Sequence, residues 1–278
     1  MNILNQVLKS LPIRKTQATF LNLLCALILA IPGRINYANL QRFSNRTEKT
    51  YRNWAVKPIE WVHIAAGVVQ TLQAHKRMGS RLILGVDCTA LRKAGKHTPG
   101  IAKFWDSKLG KAVPSLELSC CTLIDLEHRQ PIPVHALQTP SLIPADESRV
   151  DHYVGHVQDV LGTLPASVRA QVQCVVGDAY YSKRERPARC RLVSKKKTFV
   201  DGVTRADKAF VGKFRVDANL RYEYTGPRTG KPGRPKRFDG KVDFKNFSKW
   251  DLVSTNEEQI VYSDVLYAPA LKRFVRVV

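Results

Sequence analysis

The sequence is short of acid. Its 278 residues hold 23 Asp and Glu against 45 Lys and Arg, a net charge of +22. An imbalance of that size excludes an electrically neutral surface and points to a polyanionic partner, most simply nucleic acid. The sequence has no C-x-x-C pair either; its six cysteines stand at 25, 88, 120, 121, 174 and 190. That excludes the ligand spacing of a zinc ribbon or finger and leaves reduced thiols of a cytosolic protein. Adjacent Cys120 and Cys121 on a strand would point to opposite faces. No apolar run reaches the ~20 residues of a transmembrane helix. The longest, Phe20 to Ile31, follows Arg14-Lys15 in the manner of a signal peptide. Ile31-Pro32-Gly33-Arg34 offers no small-residue cleavage site, so the run reads as a buried core helix ended by Pro32-Gly33. Two motifs fail on inspection. Gly95-Lys96-His97-Thr98 lacks the first glycine of a phosphate loop, and His152 and His156 lack the intervening glutamate of a zinc protease helix. These two and His135 read as surface or packed histidines.

What remains is ordinary globular composition, 44% hydrophobic and 24% charged, long enough for roughly two domains. The charge is uneven. Residues 1–80 are net +9, 81–180 neutral, 181–250 net +14 and 251–278 net −1. A neutral middle between basic flanks suggests a core that performs chemistry and flanks that hold phosphates.

The first region reads as helical. Asn36 to Phe43 makes one short helix. Asn45 with Glu48 resembles a capping box opening a second helix from Arg46 to Trp54, stopped before Pro58. Arg46, Lys49 and Arg52 make the second helix cationic, as in a helix-turn-helix DNA reader. The middle alternates strands with a helix. Leu82–Val86 is a buried strand ending on Asp87, and Ser115–Ile124 and Pro133–Leu137 are two more. Ala145 to Ser148 opens a helix whose Val150, Val154, Val157 and Leu161 share one face. Gln171–Gly177 is a fourth strand, ending on Asp178. This is an α/β core. Beyond 181 come a basic stretch, Lys183 to Lys197, and short strands near 210–214, 220–224, 241–244, 249–253, 259–262 and 274–278. A Gly/Pro-rich loop, 226–240, lies among them. Within it, Lys231-Pro-Gly-Arg234-Pro-Lys236-Arg237 has the Gly-Arg-Pro core that lets an arginine enter a narrow minor groove.

Two aspartates at the C-terminal ends of apolar strands are costly unless a cation neutralises them. Mg²⁺ or Mn²⁺ takes such oxygen ligands, and a metal pair can activate the attacking oxygen and stabilise the leaving one in phosphodiester cleavage. For either aspartate alone, a turn cap is the simpler account.

At these residues the sequence resembles a known family. Val86-Asp87-Cys88-Thr89 and Val175-Val176-Gly177-Asp178-Ala179-Tyr180-Tyr181-Ser182-Lys183 resemble the first two acidic blocks of DDE transposases of bacterial insertion sequences, most nearly the insertion-sequence-four-like group. Asn39 to Ser44 with Thr50 to Trp54 resembles that group's N-terminal DNA-binding region, and Tyr267 to Arg276 a strand pair of its β insertion. The resemblance implies an RNase H-like catalytic core with a β-rich insertion, preceded by an α-helical DNA-binding domain. The expected boundaries are 1–78 for the helical domain, 79–183 for the first part of the core and 184–278 for the basic insertion. It implies cleavage and joining of double-stranded DNA at element ends with Mg²⁺ or Mn²⁺ on Asp87 and Asp178, supporting DNA contacts from Tyr180 and Lys183, and a site of action on the bacterial nucleoid without membrane attachment. Arg234, Lys236 and Arg237 are the expected groove or phosphate contacts of the loop.

Two departures stand out. The family's third acid is a glutamate in a Y-x-x-R-x-x-x-E pattern, which this sequence lacks; Glu257, Glu258 and Asp264 are poor substitutes. The resemblance therefore implies a transposase cut short at its C terminus and inactive in this form. The second departure is an extra basic stretch carrying Arg184, Arg186, Arg189 and Arg191 between Ser182-Lys183 and Ser194-Lys195. Two rival readings follow. One is a non-catalytic DNA-binding remnant that occupies element ends or pairs with itself or full-length transposase. The other is a free-standing nuclease using a third acid such as Glu117, which lies between two leucines and faces away from them.

Overall fold

The computed structural model describes residues 2–93, 95, 98–106, 108–144, 147–182, 198–215, 217–227 and 235–278. Five helices come first: α1 Asn2–Ser10, α2 Lys15–Ala30, α3 Tyr37–Arg42, α4 Glu48–Ala55 and α5 Trp61–Ala74. Helix α2 buries Phe20, Leu21 and Leu27, but Leu29 is 84% exposed, so the run is amphipathic in use, not buried all round. Phe20, Leu27 and Ile31 pack with Leu40 of α3 and Tyr51 of α4, and Trp54 stacks on Phe20 at 4.6 Å. Helix α4 starts later than its sequence suggests. Its cap is Thr47, whose Oγ1 accepts the Thr50 N–H, not Asn45. The reason lies in the turn. Ser44 Oγ accepts the Arg46 N–H at 3.2 Å and the Tyr51 hydroxyl at 2.6 Å, while the Glu48 N–H goes to Gln41 Oε1 at 2.7 Å. Glu48's carboxylate is taken by Arg52 one turn on and is not free to close a capping box.

The main sheet contains β1 Leu82–Arg92, β2 Ala102–Asp106, β3 Lys111–Asp125, β4 Gln130–Gln138, β5 Val172–Gly177 and β6 Ala209–Gly212. Strand β1 is central. It pairs antiparallel with β3, which also carries β2 and β4, and parallel with β5, which pairs parallel with β6. Helices α6 Arg149–Thr163 and α7 Ala166–Gln171 connect β4 to β5, and α8 Phe199–Arg205 precedes β6. Helix α6 opens on a complete capping box between Ser148 and Asp151 and buries Val150, Val154, Val157 and Leu161, the face its spacing predicts, plus Tyr153, His156 and Val160. These pack against Leu82, Leu84 and Val86 of β1 and Cys121 and Leu123 of β3. Cys121 is buried and Cys120, on the other face, only partly so. A mixed sheet behind N-terminal helices is consistent with the RNase H-like core that the resemblance implies. No described helix is long and apolar enough to cross a membrane.

A second sheet holds β7 Arg221–Glu223, β8 Phe238–Lys241, β9 Asp251–Thr255, β10 Ile260–Ala268 and β11 Arg273–Val277. The order is β11-β10-β7-β8, with β9 beside β10. Its core is Leu220, Val242, Trp250, Leu266, Ala268 and Leu271, joined by Val200 from α8. The strand expected near 210–214 is β6; it belongs to the main sheet and not to this one, because Val175 and Val176 of β5 pair with Phe210 and Val211.

Candidate active site

Strands β1 and β5 run side by side with Val86 opposite Gly177. Asp87, midway along β1 and not at its end, and Asp178, the residue after β5, come next, so the register brings the two sequence-predicted acids to neighbouring positions. Both are exposed. Along β1 the burial alternates: Leu82, Leu84 and Val86 face the helices, and Asp87 stands on the opposite face. Asp125 gives a contrast. At the end of β3, it is fully buried and accepts N–H groups from Gly79, Glu127 and His128 as well as the His128 ring. Asp87 accepts only the Cys88 N–H, at 2.8 Å, and Asp178 only the Tyr180 N–H, at 2.8 Å, among the described residues. Most of their oxygen lone pairs face solvent.

Two exposed carboxylates at adjacent positions are hard oxygen donors, the donor set that Mg²⁺ or Mn²⁺ takes while keeping waters and substrate phosphates. Asp87 and Asp178 fit such an ion on that ground. Among the described residues no group of three His, Cys, Asp or Glu side chains is placed to hold one. Glu117 does not join the pair. It lies opposite Ala90 of β1, three residues from Asp87 and so on the helix-covered face, where its carboxylate accepts the Tyr153 hydroxyl at 2.5 Å.

The expected DNA contacts are scattered. Arg46, just before α4, and Lys49 within it are exposed. Arg52 is held by Glu48, with its guanidinium 4.8 Å from the Tyr37 ring. Lys236 binds Asp239 at 2.9 Å and lies over the Tyr224 ring, while Arg237 lies over Phe238 and Tyr267. Tyr180 follows Asp178 and packs edge-on against Tyr153 and Tyr181. Lys183 and Arg234 lie outside the described residues, as does the basic stretch after Ser182.

Sequence reasoning passed over what lies beneath the acids. The Tyr181 ring, 2% exposed, folds back under Asp178 and meets Phe199 at 4.6 Å. It covers Gly177 so closely that a Cβ there would sit 2.9 Å from it. Its hydroxyl shares a hydrogen bond of 2.9 Å with Cys88 Sγ, the residue after Asp87. Burial drives the Cys88 thiol up to about 11 and the Tyr181 and Tyr153 hydroxyls far above their ordinary range, so all three stay protonated at neutral pH. The strand alternation was the available signal: Cys88 had to point inward if Asp87 pointed out.

The histidines form a separate group. His156, 1% exposed, bonds through Nδ1 to Ser119 Oγ at 2.9 Å and through Nε2 to His135 Nδ1 at 3.0 Å. They line a cleft of about 510 Å³ with Glu60, Trp61 and Asp159, on the helix side of the sheet.

A family model described as DDE superfamily endonuclease matches residues 6–261. No curated protein matches the chain.

Proposed function

The chain belongs to the DDE superfamily endonucleases, and from that membership we propose that it is a transposase of a bacterial insertion sequence, of the insertion-sequence-four-like group, that cuts and joins DNA at element ends. DDE endonucleases act on DNA and generally use a divalent metal. The observation that carries the finer reading is the register of β1 and β5, which sets Asp87 beside Asp178 with their oxygens open to solvent. In this reading the two carboxylates hold Mg²⁺ or Mn²⁺. When bound, the metal activates the attacking oxygen and steadies the charge on the leaving one. The chain's own part is to fix the carboxylates on rigid strands, to leave space above them for a DNA backbone, and to hold that backbone by its basic regions. Arg46, just before α4, Lys49 within it and the loop basics Lys236 and Arg237 supply contacts of this kind, with Lys183 and Arg234 completing them. Its protein partner in this reading is a second copy or a full-length transposase, in the bacterial cytoplasm.

The test is nicking of duplex DNA that carries the repeats flanking the gene. Where the parent chain nicks in Mn²⁺, Asp87→Ala and Asp178→Ala are each expected to abolish that nicking while leaving DNA binding intact. Nicking undiminished in either variant removes that residue from the site. One observation favours a second reading, a DNA-binding protein without cleavage: no third carboxylate joins the pair among the described residues. Tight, salt-sensitive binding with no nicking by the parent chain in Mg²⁺ or Mn²⁺ would select it.

A further inference from the structure

We infer that Tyr181 is a positioning residue, a clasp that sets the spacing of Asp87 and Asp178 by tying the loop after β5 to strand β1. The inference rests on the metal-binding reading of those two acids.

Asp87 lies on β1 and Asp178 in the turn that follows β5. Ladder hydrogen bonds hold β1 to β5 only as far as Val86 and Gly177. Asp178 is already past the strand, at the start of a turn closed by the Tyr181 N–H on the Asp178 carbonyl at 3.3 Å. Left to the ladder alone, this turn could swing about Gly177. Among the described residues three contacts of Tyr181 restrain it, beside the packing of Tyr180 on Tyr153. The Tyr181 ring lies against Gly177, where any side chain would collide with it. The ring's outer side is walled by Phe199 at 4.6 Å and by Tyr153 at 5.9 Å. Its hydroxyl reaches across to Cys88 Sγ at 2.9 Å, one residue from Asp87. Tyr153, in turn, is fixed by its hydrogen bond to Glu117. A buried hydroxyl with one partner is expensive to leave unsatisfied, so the link to Cys88 has one preferred length and direction. A chain of contacts thus runs from Asp178 through the buried Tyr181 to the partly buried Cys88 and on to Asp87, behind the carboxylates. It does for the acids what outer-shell partners do for metal ligands in general, where removing such a partner typically costs 10–100-fold in metal affinity.

The experiment is a calorimetric titration of Mn²⁺ into the full chain. The parent should bind, and Asp87→Ala should not. Tyr181→Phe deletes one oxygen and keeps the ring; it should weaken Mn²⁺ about tenfold. Cys88→Ser keeps a partner for the hydroxyl and should stay near the parent, whereas Cys88→Ala should match Tyr181→Phe. Val160→Ala, buried in the same core but remote from the acids, supplies the comparison: it should lower the melting temperature with Mn²⁺ affinity unchanged. If Tyr181→Phe binds Mn²⁺ like the parent while Asp87→Ala does not, the clasp is refuted and the metal-binding acids stand. If the parent and Asp87→Ala give the same flat titration, the metal-binding reading fails and the clasp has nothing to position.

Discussion

His156 is a titratable side chain held on both sides. Both ring nitrogens have partners, Ser119 and His135, and the residue is almost wholly inside the protein. Burial first, then the neighbouring His135 and His152, hold it down to about 4. A histidine depressed in this way is neutral in the folded chain and takes up a proton on unfolding. Its contribution to stability is complete above its ordinary value near 6.5 and is lost as pH falls toward 4. The expected loss over that interval is on the order of 3 kcal/mol. Thermal melts from pH 7 to pH 4 should show it, and His156→Gln should flatten the slope. The same scale explains what the residues alone could reveal of the site. Asp87 and Asp178 were legible because each ends an apolar run. Tyr181, Cys88, Tyr153 and Glu117 were not, since their meeting depends on strand register and on α6 crossing the sheet.

Elements were legible in proportion to how much apolar surface they bury. Leu82–Val86 reads as a strand because it is a continuous apolar run, with Leu82, Leu84 and Val86 buried and Ile83 and Gly85 half-buried between them. Its continuation to Arg92 carries exposed positions and no continuous apolar run, so that half was hidden. Strand β2 was invisible for the same reason: only Phe104 of its five residues is buried. Helix α8 shows how closely elements approach. Gly202 lies against α6 so that a Cβ there would stand 2.4 Å from both methyls of Val154. Either Val154 shifts within a filled core or α8 moves outward. Gly202→Ala should therefore destabilise the chain by about 1–3 kcal/mol, although alanine is the better helix former. Chemical denaturation would measure it; a stabilised variant would mean that α8 sits farther from α6.

For the molecule as a whole, the net charge of +22 makes ionic strength the controlling variable for DNA binding. Each phosphate contact adds about −0.9 to the slope of log affinity against log salt. Lys49 is exposed and should count in that slope, so Lys49→Ala should reduce it by about 1. Arg52 already spends its charge on Glu48, and Arg52→Ala should change the slope less. Equal effects from the two variants would mean that the Glu48 pair opens on DNA. Helix α8 also belongs at this scale. It gives Phe199 and Val203 to the main core and Val200 to the second, and its Asp201 binds Arg273 of β11. One seven-residue helix is thus an inner wall of both sheets. Neither sheet can melt without stripping apolar surface from the other, so the two are a single cooperative unit despite having separate hydrogen-bond ladders. Heat should unfold them in one calorimetric peak, and the Gly202 substitution should move that peak without splitting it.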